Sequence, residues 1–294
     1  MKCGHAFNRN LVLGFENLAD HHNIPIYAGA IVGPVANRIS HGKVAIAGQT
    51  YHMPLNENGI TTLHSGDQGL HAQTWQILTQ STDSVTFQCR LQAGAVGLLG
   101  NRTFTVRYTL SGLRLMVELS AVTDHPTAFN LAAHPYWNLD SGPDVSAHQL
   151  TVHADHILPV DHNNIPTGAI APVAGTPFDF RKPRPIPIGQ GLDHNFCLSR
   201  QTAPAPRLAC TLKGRSGTSL TIRTTAPGLQ VYDGAFLPDM PGALDGKRDL
   251  RPYGAIALEP QSWPDAPNHP AFPSISFGPD KAFRQETVFD VTLP

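Results

Sequence analysis

The sequence predicts an all-β protein built as a sandwich or barrel, and three observations carry the prediction. Apolar residues alternate with polar ones in short runs at close intervals, as along half-buried strands. Clusters of Gly, Pro, Asn and Asp separate those runs. The 294 residues include 26 Gly and 26 Pro. Their joint share is about 18% against roughly 12% in average proteins, and helix interiors tolerate both residues poorly.

Taken in order, the segment Phe15 to His22 is the one modest helix candidate. QTWQILTQ (73–80) is the first of the strand candidates that follow. Val85, Phe87 and Cys89 alternate in SVTFQCRL; Phe104, Val106 and Tyr108 in TFTVRYTL; and Leu113, Leu115, Val117 and Leu119 in LRLMVELSAV. HQLTVHADHI (148–157), SLTIRTT (219–225), LQVYDGAFL (229–237) and ETVFDVTL (286–293) complete the set. This spacing fits a sandwich or barrel better than β-α-β units. The Pro-rich RKPRPIPIG (181–189) reads as an ordered surface crossing, because patterned segments continue on both sides. With no repeat or low-complexity linker to divide the chain, one domain over residues 1–294 is expected.

Lys and Arg total 21 and Asp and Glu 22, a net charge of -1. That balance offers no basic footprint for nucleic acid or anionic lipid. Apolar runs are cut by Pro, Gly or Arg well short of the ~20 residues that span a bilayer, so no transmembrane helix is expected. The start, MKCGHAFNRNLVLGF, has no continuous apolar core of a secretory leader, which makes the cytoplasm the default compartment. Cys3, Cys89, Cys197 and Cys210 are scattered, form no C-x-x-C pair and are expected to remain thiols.

No G-x-S-x-G, P-loop, H-E-x-x-H or strand-borne G-x-G-x-x-G is present, so chemistry must come from isolated titratable groups. Against fifteen His there are only five Glu: Glu16, Glu57, Glu118, Glu259 and Glu286. In GAIALEPQSW, strand alternation places Ile256 and Leu258 on one face and Ala255, Ala257 and Glu259 on the other. Small neighbours leave room for a ligand beside Glu259, and a carboxylate in a partly desolvated cleft becomes a usable base near neutrality. A buried ion pair with an Arg is the structural alternative. In FNLAAHPYWNL, His134 likewise lies beyond an alanine and can serve as a general acid or as a satisfied core histidine. Trp137 and Trp263 suit the apolar face of a sugar ring as well as core packing.

Asn37 and Arg38 interrupt an apolar run, where a guanidinium can bind hydroxyls or hold a carboxylate, or cap a turn. His64 precedes a Ser-Gly turn, and Asp193 and Asn195 share one strand face, a pattern of hydroxyl recognition and equally of turn chemistry. His153 and His156 stand three apart and, on one strand, point to opposite faces, which argues against a shared metal ion. Lys247, Arg248 and Arg251 read as solvated loop residues with the chemistry to hold a phosphate.

In order, ANRISHGKVAIAGQTYHMPLNENGITTLHSG, AAHPYWNL, HILPVDHNNIPTGAI, GTPFDFR, LDHNF, LQVYDGAFL and ALEPQSWPDAPNHPAFPS resemble the aldose 1-epimerase (galactose mutarotase) family, from about Leu11 to the C-terminus. The resemblance implies an antiparallel β supersandwich that interconverts the α and β anomers of free aldoses without a cofactor. It also implies Glu259 as general base at the C1 hydroxyl and His134 as general acid at the ring oxygen. Arg38, His64 and Asp193 match the residues that hold the sugar hydroxyls, with Asn37 and Gln230 as neighbours.

The chain departs from the family pattern in three places. G-R-V-A-N-R-I is G-P-V-A-N-R-I, with Pro34 for an Arg; L-H-G-G is Leu63-His64-Ser65-Gly66; and Ala133 replaces the Asn that often precedes the acid His. Members usually carry further strands before the segment matching NLVLGFENL, so a shortened set of N-terminal strands is expected. Two rival readings accompany the resemblance. A hexose-phosphate epimerase needs the Lys247 to Arg251 loop to face the pocket, and a carbohydrate-binding protein without turnover needs no matched acid and base.

Overall fold

The computed structural model of the chain describes residues 2–3, 7–140, 142–244 and 248–294. Two large antiparallel sheets organise them. The larger has nine strands, ordered Arg184–Pro185, Gln149–Val152, Arg207–Lys213, Ser219–Thr224, Phe283–Thr292, Arg114–Thr123, Arg102–Ser111, Ser84–Leu91 and Gln76–Gln80. The second has six, ordered Tyr136–Trp137, Ile256–Gln261, Gly228–Tyr232, Asp193–Cys197, His156–Ile157 and Ala171–Pro172. The predicted all-β class, with its antiparallel supersandwich, is the observed one.

Alternation explains how the sheets meet. Phe104, Val106, Val117, Leu119, Leu220 and Ile222 of the larger sheet share one buried cluster with Phe196, Leu229, Val231, Ile256 and Leu258 of the smaller. Trp137 of the smaller sheet packs on Phe289 of the larger, with ring centroids 5.4 Å apart. Each such side chain contributes about 1.5–3 kcal/mol on full burial. The register of the longest hairpin runs from Arg102 opposite Thr123 to Ser111 opposite Arg114. Its two-residue turn needs Gly112, whose φ is 58°.

The smaller sheet is covered on its other face too. Ala255 and Ala257 join Leu13, Phe15, Tyr136 and Leu237 in a separate buried cluster. The faces predicted for 254–263 are therefore the observed ones, and every residue of Ile256–Gln261 is buried.

Five sequence expectations need correction or completion. The segment 148–157 is two strands, not one: the chain leaves the larger sheet after Val152 and enters the smaller at His156. His153 and His156 consequently do not share a strand, and both line one surface cleft with Cys197 and Arg200. Arg207–Lys213 is a further strand, hidden in the sequence by a bulge between Leu208 and Cys210 that interrupts its alternation. The helix is Leu18–Asn23, starting three residues later and ending one residue later than expected, because the Asn17 side chain caps it by accepting from the Asp20 N–H at 2.9 Å. Trp137 and Trp263 are each 1% exposed and belong to the core, with no part in lining the cavity around His134 and Glu259.

RKPRPIPIG behaves as expected, since Arg184–Pro185 pairs as an edge strand, the position in a sheet where Pro is tolerated. Among the described residues, Cys89, Cys197 and Cys210 are free thiols, and no helix is long and apolar enough to cross a membrane.

Candidate active site

Register across the smaller sheet builds the site. Asp193 pairs with Tyr232, Tyr232 with Ala257 and Ala257 with Tyr136; one step along, Asn195 pairs with Gln230 and Gln230 with Glu259. Two cross-strand rows, polar but for Ala257, thus lie on the sheet face that does not pack against the larger sheet. A cavity of about 370 Å³ opens over them, lined among others by Tyr27, Asn37, Arg38, His64, His134, Asp193 and Glu259.

His134 follows the short strand Ala132–Ala133. Its Nε2 lies 3.5 Å from Glu259 Oε1, and both side chains are nearly dry at 5% and 3% exposure. Burial drives both groups toward their uncharged forms. It pushes the Glu259 carboxyl well above its ordinary value, reinforced by Asp193 and opposed by Arg38. It lowers the His134 imidazole to about 4. Glu259 Oε2 and His134 Nδ1 are buried without a protein hydrogen-bond partner. Unsatisfied polar atoms of this kind, on residues that line a cavity, mark a place for a ligand or a water.

The hydroxyl-binding side is a network of charge-assisted bonds. Arg38 donates from Nε to Glu57 Oε2 and from a terminal nitrogen to Glu57 Oε1, both at 2.8 Å, and from its other terminal nitrogen to Asp193 Oδ2 at 3.2 Å. This is the fork geometry that a guanidinium provides and an ammonium does not. Thr61 Oγ1 donates to Glu57 Oε2 at 2.6 Å. Gln230 Nε2 donates to Asp193 Oδ1 at 2.6 Å. Gln230 thus sits beneath Asp193, outside the cavity lining, and fixes that carboxylate's orientation.

Asn37 and His64 hold each other in left-handed backbone conformations, with φ of 63° and 51°. The His64 N–H donates to the Asn37 carbonyl at 3.0 Å, and the Asn37 N–H donates to His64 Nδ1 at 3.1 Å. The latter bond decides a chemical question. His64, His134 and Glu259 have ligand atoms all within 4.8 Å of one another, a donor set that transition metals accept. With Nδ1 occupied by an amide proton, neutral His64 carries its own proton on Nε2 and offers a donor where a metal needs a lone pair. Burial and the neighbouring His134 and Arg38 hold His64 in that neutral form, well below its ordinary value. The three groups therefore suit hydroxyl recognition better than metal binding.

Ser65, at φ 70°, stands where the left-handed backbone favours Gly. Its hydroxyl compensates by accepting from the Val35 N–H at 2.8 Å and donating to the Val35 carbonyl at 3.1 Å. The departure at this position therefore leaves the loop presenting His64 intact.

Of the residues singled out by sequence, Asn37, Arg38, His64, His134, Asp193 and Glu259 meet in the cavity. Asn195, though 2% exposed, does not line it. Arg248 and Arg251 are absent from the described lining as well, and Lys247 lies outside the described residues. Sequence reasoning missed Glu57, Tyr27, Tyr136, Tyr232 and Phe236. A signal for Glu57 exists: it lies just before Thr61–Leu63, the strand that pairs with Arg38–Ser40, and the Arg38 guanidinium is able to hold a carboxylate. The aromatic ring of Tyr27 packs edge-on against His64 at 4.6 Å and His71 at 4.9 Å.

Known proteins resemble this chain over nearly its whole length. The family profile for aldose 1-epimerase matches residues 3–290. The chain is 39% identical to galactose mutarotase of Rattus norvegicus, over 97% of this chain and 84% of the relative. It is 33% identical to aldose 1-epimerase of Escherichia coli K12, over 90% and 79% respectively. Among solved structures, an aldose epimerase homologue from C. elegans superposes with a TM-score of 0.91 at 30% identity, covering 99% of this chain and 90% of its own.

Proposed function

The chain belongs to the aldose 1-epimerase family and is an isomerase of that kind, and from this premise we propose that His134 and Glu259 interconvert the anomers of a free aldose by ring opening and reclosure. The observation that carries the assignment is the 3.5 Å approach of His134 Nε2 to Glu259 Oε1 inside a cavity lined by hydroxyl-binding groups.

Glu259 takes the proton from the C1 hydroxyl. The bond between C1 and the ring oxygen breaks, its electron pair going to the ring oxygen, which takes a proton from His134. The C1 aldehyde forms at the same time. Rotation about C1–C2 presents the other aldehyde face, and reversal of both proton transfers closes the ring as the other anomer. Each group acts once as acid and once as base, so neither a nucleophile nor a cofactor is required.

The pair needs a single labile proton. Burial favours carboxyl with neutral imidazole, and one proton passing between them gives the carboxylate and imidazolium that open the ring. Arg38, His64 and Asp193, with Asn37 beside them and Gln230 behind Asp193, orient the hydroxyls so that the ring lies between base and acid. A monosaccharide is the proposed substrate. The catalyst is proposed to be one domain, in keeping with the buried cluster that runs from Leu11 to Val291. We place it in the cytoplasm, where unpaired thiols such as Cys89 and Cys210 persist.

The test is anomer exchange of glucose and galactose followed by NMR saturation transfer. Exchange above the buffer rate supports the proposal, and exchange at the buffer rate on every aldose tried, pentoses included, replaces it with the binding-protein reading.

A further inference from the structure

Three carboxyl groups, from Glu57, Asp193 and Glu259, line the cavity, and Arg38 is the one Lys or Arg among its described lining residues. That cation is already matched. Two of its N–H groups go to Glu57 and one to Asp193, and the three side chains are only 11%, 25% and 17% exposed. Burial alone would raise the Glu57 carboxyl, but the bonds and charge of Arg38, with the Thr61 hydroxyl, hold it below its ordinary value. Two N–H groups of the guanidinium remain for neutral hydroxyls, while its charge is spent on carboxylates.

We propose that Glu57 sets the charge selectivity of the cavity, so that it admits neutral aldoses and cationic amino sugars and rejects anionic ones such as hexose phosphates. The proposal deepens the reading of the cavity as an aldose site and rests on it. A sugar phosphate brings at least one negative charge beside carboxylates in a partly dried site, where charges interact more strongly than in water. A protonated 2-amino-2-deoxyhexose brings the complementary charge. Thr61 supports the same carboxylate, its hydroxyl donating to the Glu57 Oε2 that also accepts from Arg38.

The experiment compares enzyme-catalysed anomer exchange of galactose, 2-amino-2-deoxygalactose and galactose 6-phosphate. It is run slightly below neutral pH, where the amine is protonated, with wild type, Glu57→Gln and Glu57→Asp. Wild type is expected to favour the amino sugar over the phosphate by at least about tenfold in kcat/KM, equivalent to about 1.4 kcal/mol. Glu57→Gln should narrow that ratio, and Glu57→Asp, which keeps the charge, should preserve it. Equal use of phosphate and neutral sugar by wild type would overturn the proposal. So would a Glu57→Gln variant that lowers all three by one factor, the signature of a purely structural role. If galactose itself does not exchange above the buffer rate, the functional reading fails separately. Calorimetric binding of the same three sugars then reads charge selection directly, and equal affinities overturn it.

Discussion

His134 Nε2 lies 3.5 Å from Glu259 Oε1, with His134 in the short break between Ala132–Ala133, which pairs with Ile31–Val32, and Tyr136–Trp137, which pairs with Ile256 and Ala257 on the strand of Glu259. Strand pairing on both sides of His134, and its backbone bonds to Gly29 and Ala30, hold it against the strand that carries Glu259.

Glu259 is kept at the expense of stability. Its folded-state value lies well above 4.5, so the folded form binds a proton that the unfolded form has already released. Stability is then lost as pH rises from about the ordinary carboxyl value toward the raised one. Glu259→Gln removes the ionisation and keeps the shape. Its melting temperature at neutral and mildly alkaline pH should equal or exceed that of wild type, with a flatter pH dependence, measured by calorimetry.

The histidine contributes with the opposite slope. The His134 value falls from 6.5 to about 4 on folding, so the unfolded chain takes up the proton first as the solution is acidified. The stability contributed is present above 6.5 and is lost as pH falls from 6.5 toward 4. In His134→Asn that acid loss should shrink, as read from denaturant midpoints across the window. The acid limb of the wild-type kcat/KM profile should likewise lie near pH 4 and not near 6.5, because the second proton enters the pair only there.

Arg38→Lys tests the fork. An ammonium keeps the charge but cannot make the paired 2.8 Å bonds to Glu57 while also reaching Asp193. KM for galactose should rise roughly tenfold or more with a smaller change in kcat, since the residue orients hydroxyls and does not move the proton.

Ser65 separates backbone strain from hydrogen bonding. Ser65→Ala keeps the left-handed φ of 70° and strips the Val35 N–H of its partner, a loss of about 1–3 kcal/mol. Ser65→Gly loses the same bonds but recovers about 1 kcal/mol of strain. Urea midpoints should therefore rank wild type above Gly and Gly above Ala.

Much of the architecture was legible because long strands with one buried face print a period of two, as Arg102–Ser111 and Arg114–Thr123 do. Legibility failed where the backbone broke that period. The bulge in Arg207–Lys213 leaves Ala209 and Cys210 both buried, and the passage from Val152 to His156 changes sheets within a few residues. In the site, His134 and Glu259 stood out as titratable groups among alanines. Glu57 did not, because it comes from an Asn- and Gly-rich turn and its role exists only through the pairing of Arg38–Ser40 with Thr61–Leu63. Trp137 and Trp263 carried no sequence mark separating a sugar platform from a core anchor, and burial assigns them to the core.

The central claim is that His134 and Glu259 are the acid and base, and anomer exchange of galactose by NMR saturation transfer in wild type, Glu259→Gln and His134→Asn tests it most directly. Each variant should remain folded and lose roughly 10²- to 10⁴-fold in kcat, the range expected for removing a positioned proton-transfer group. Folded variants that exchange galactose at the wild-type rate would contradict it.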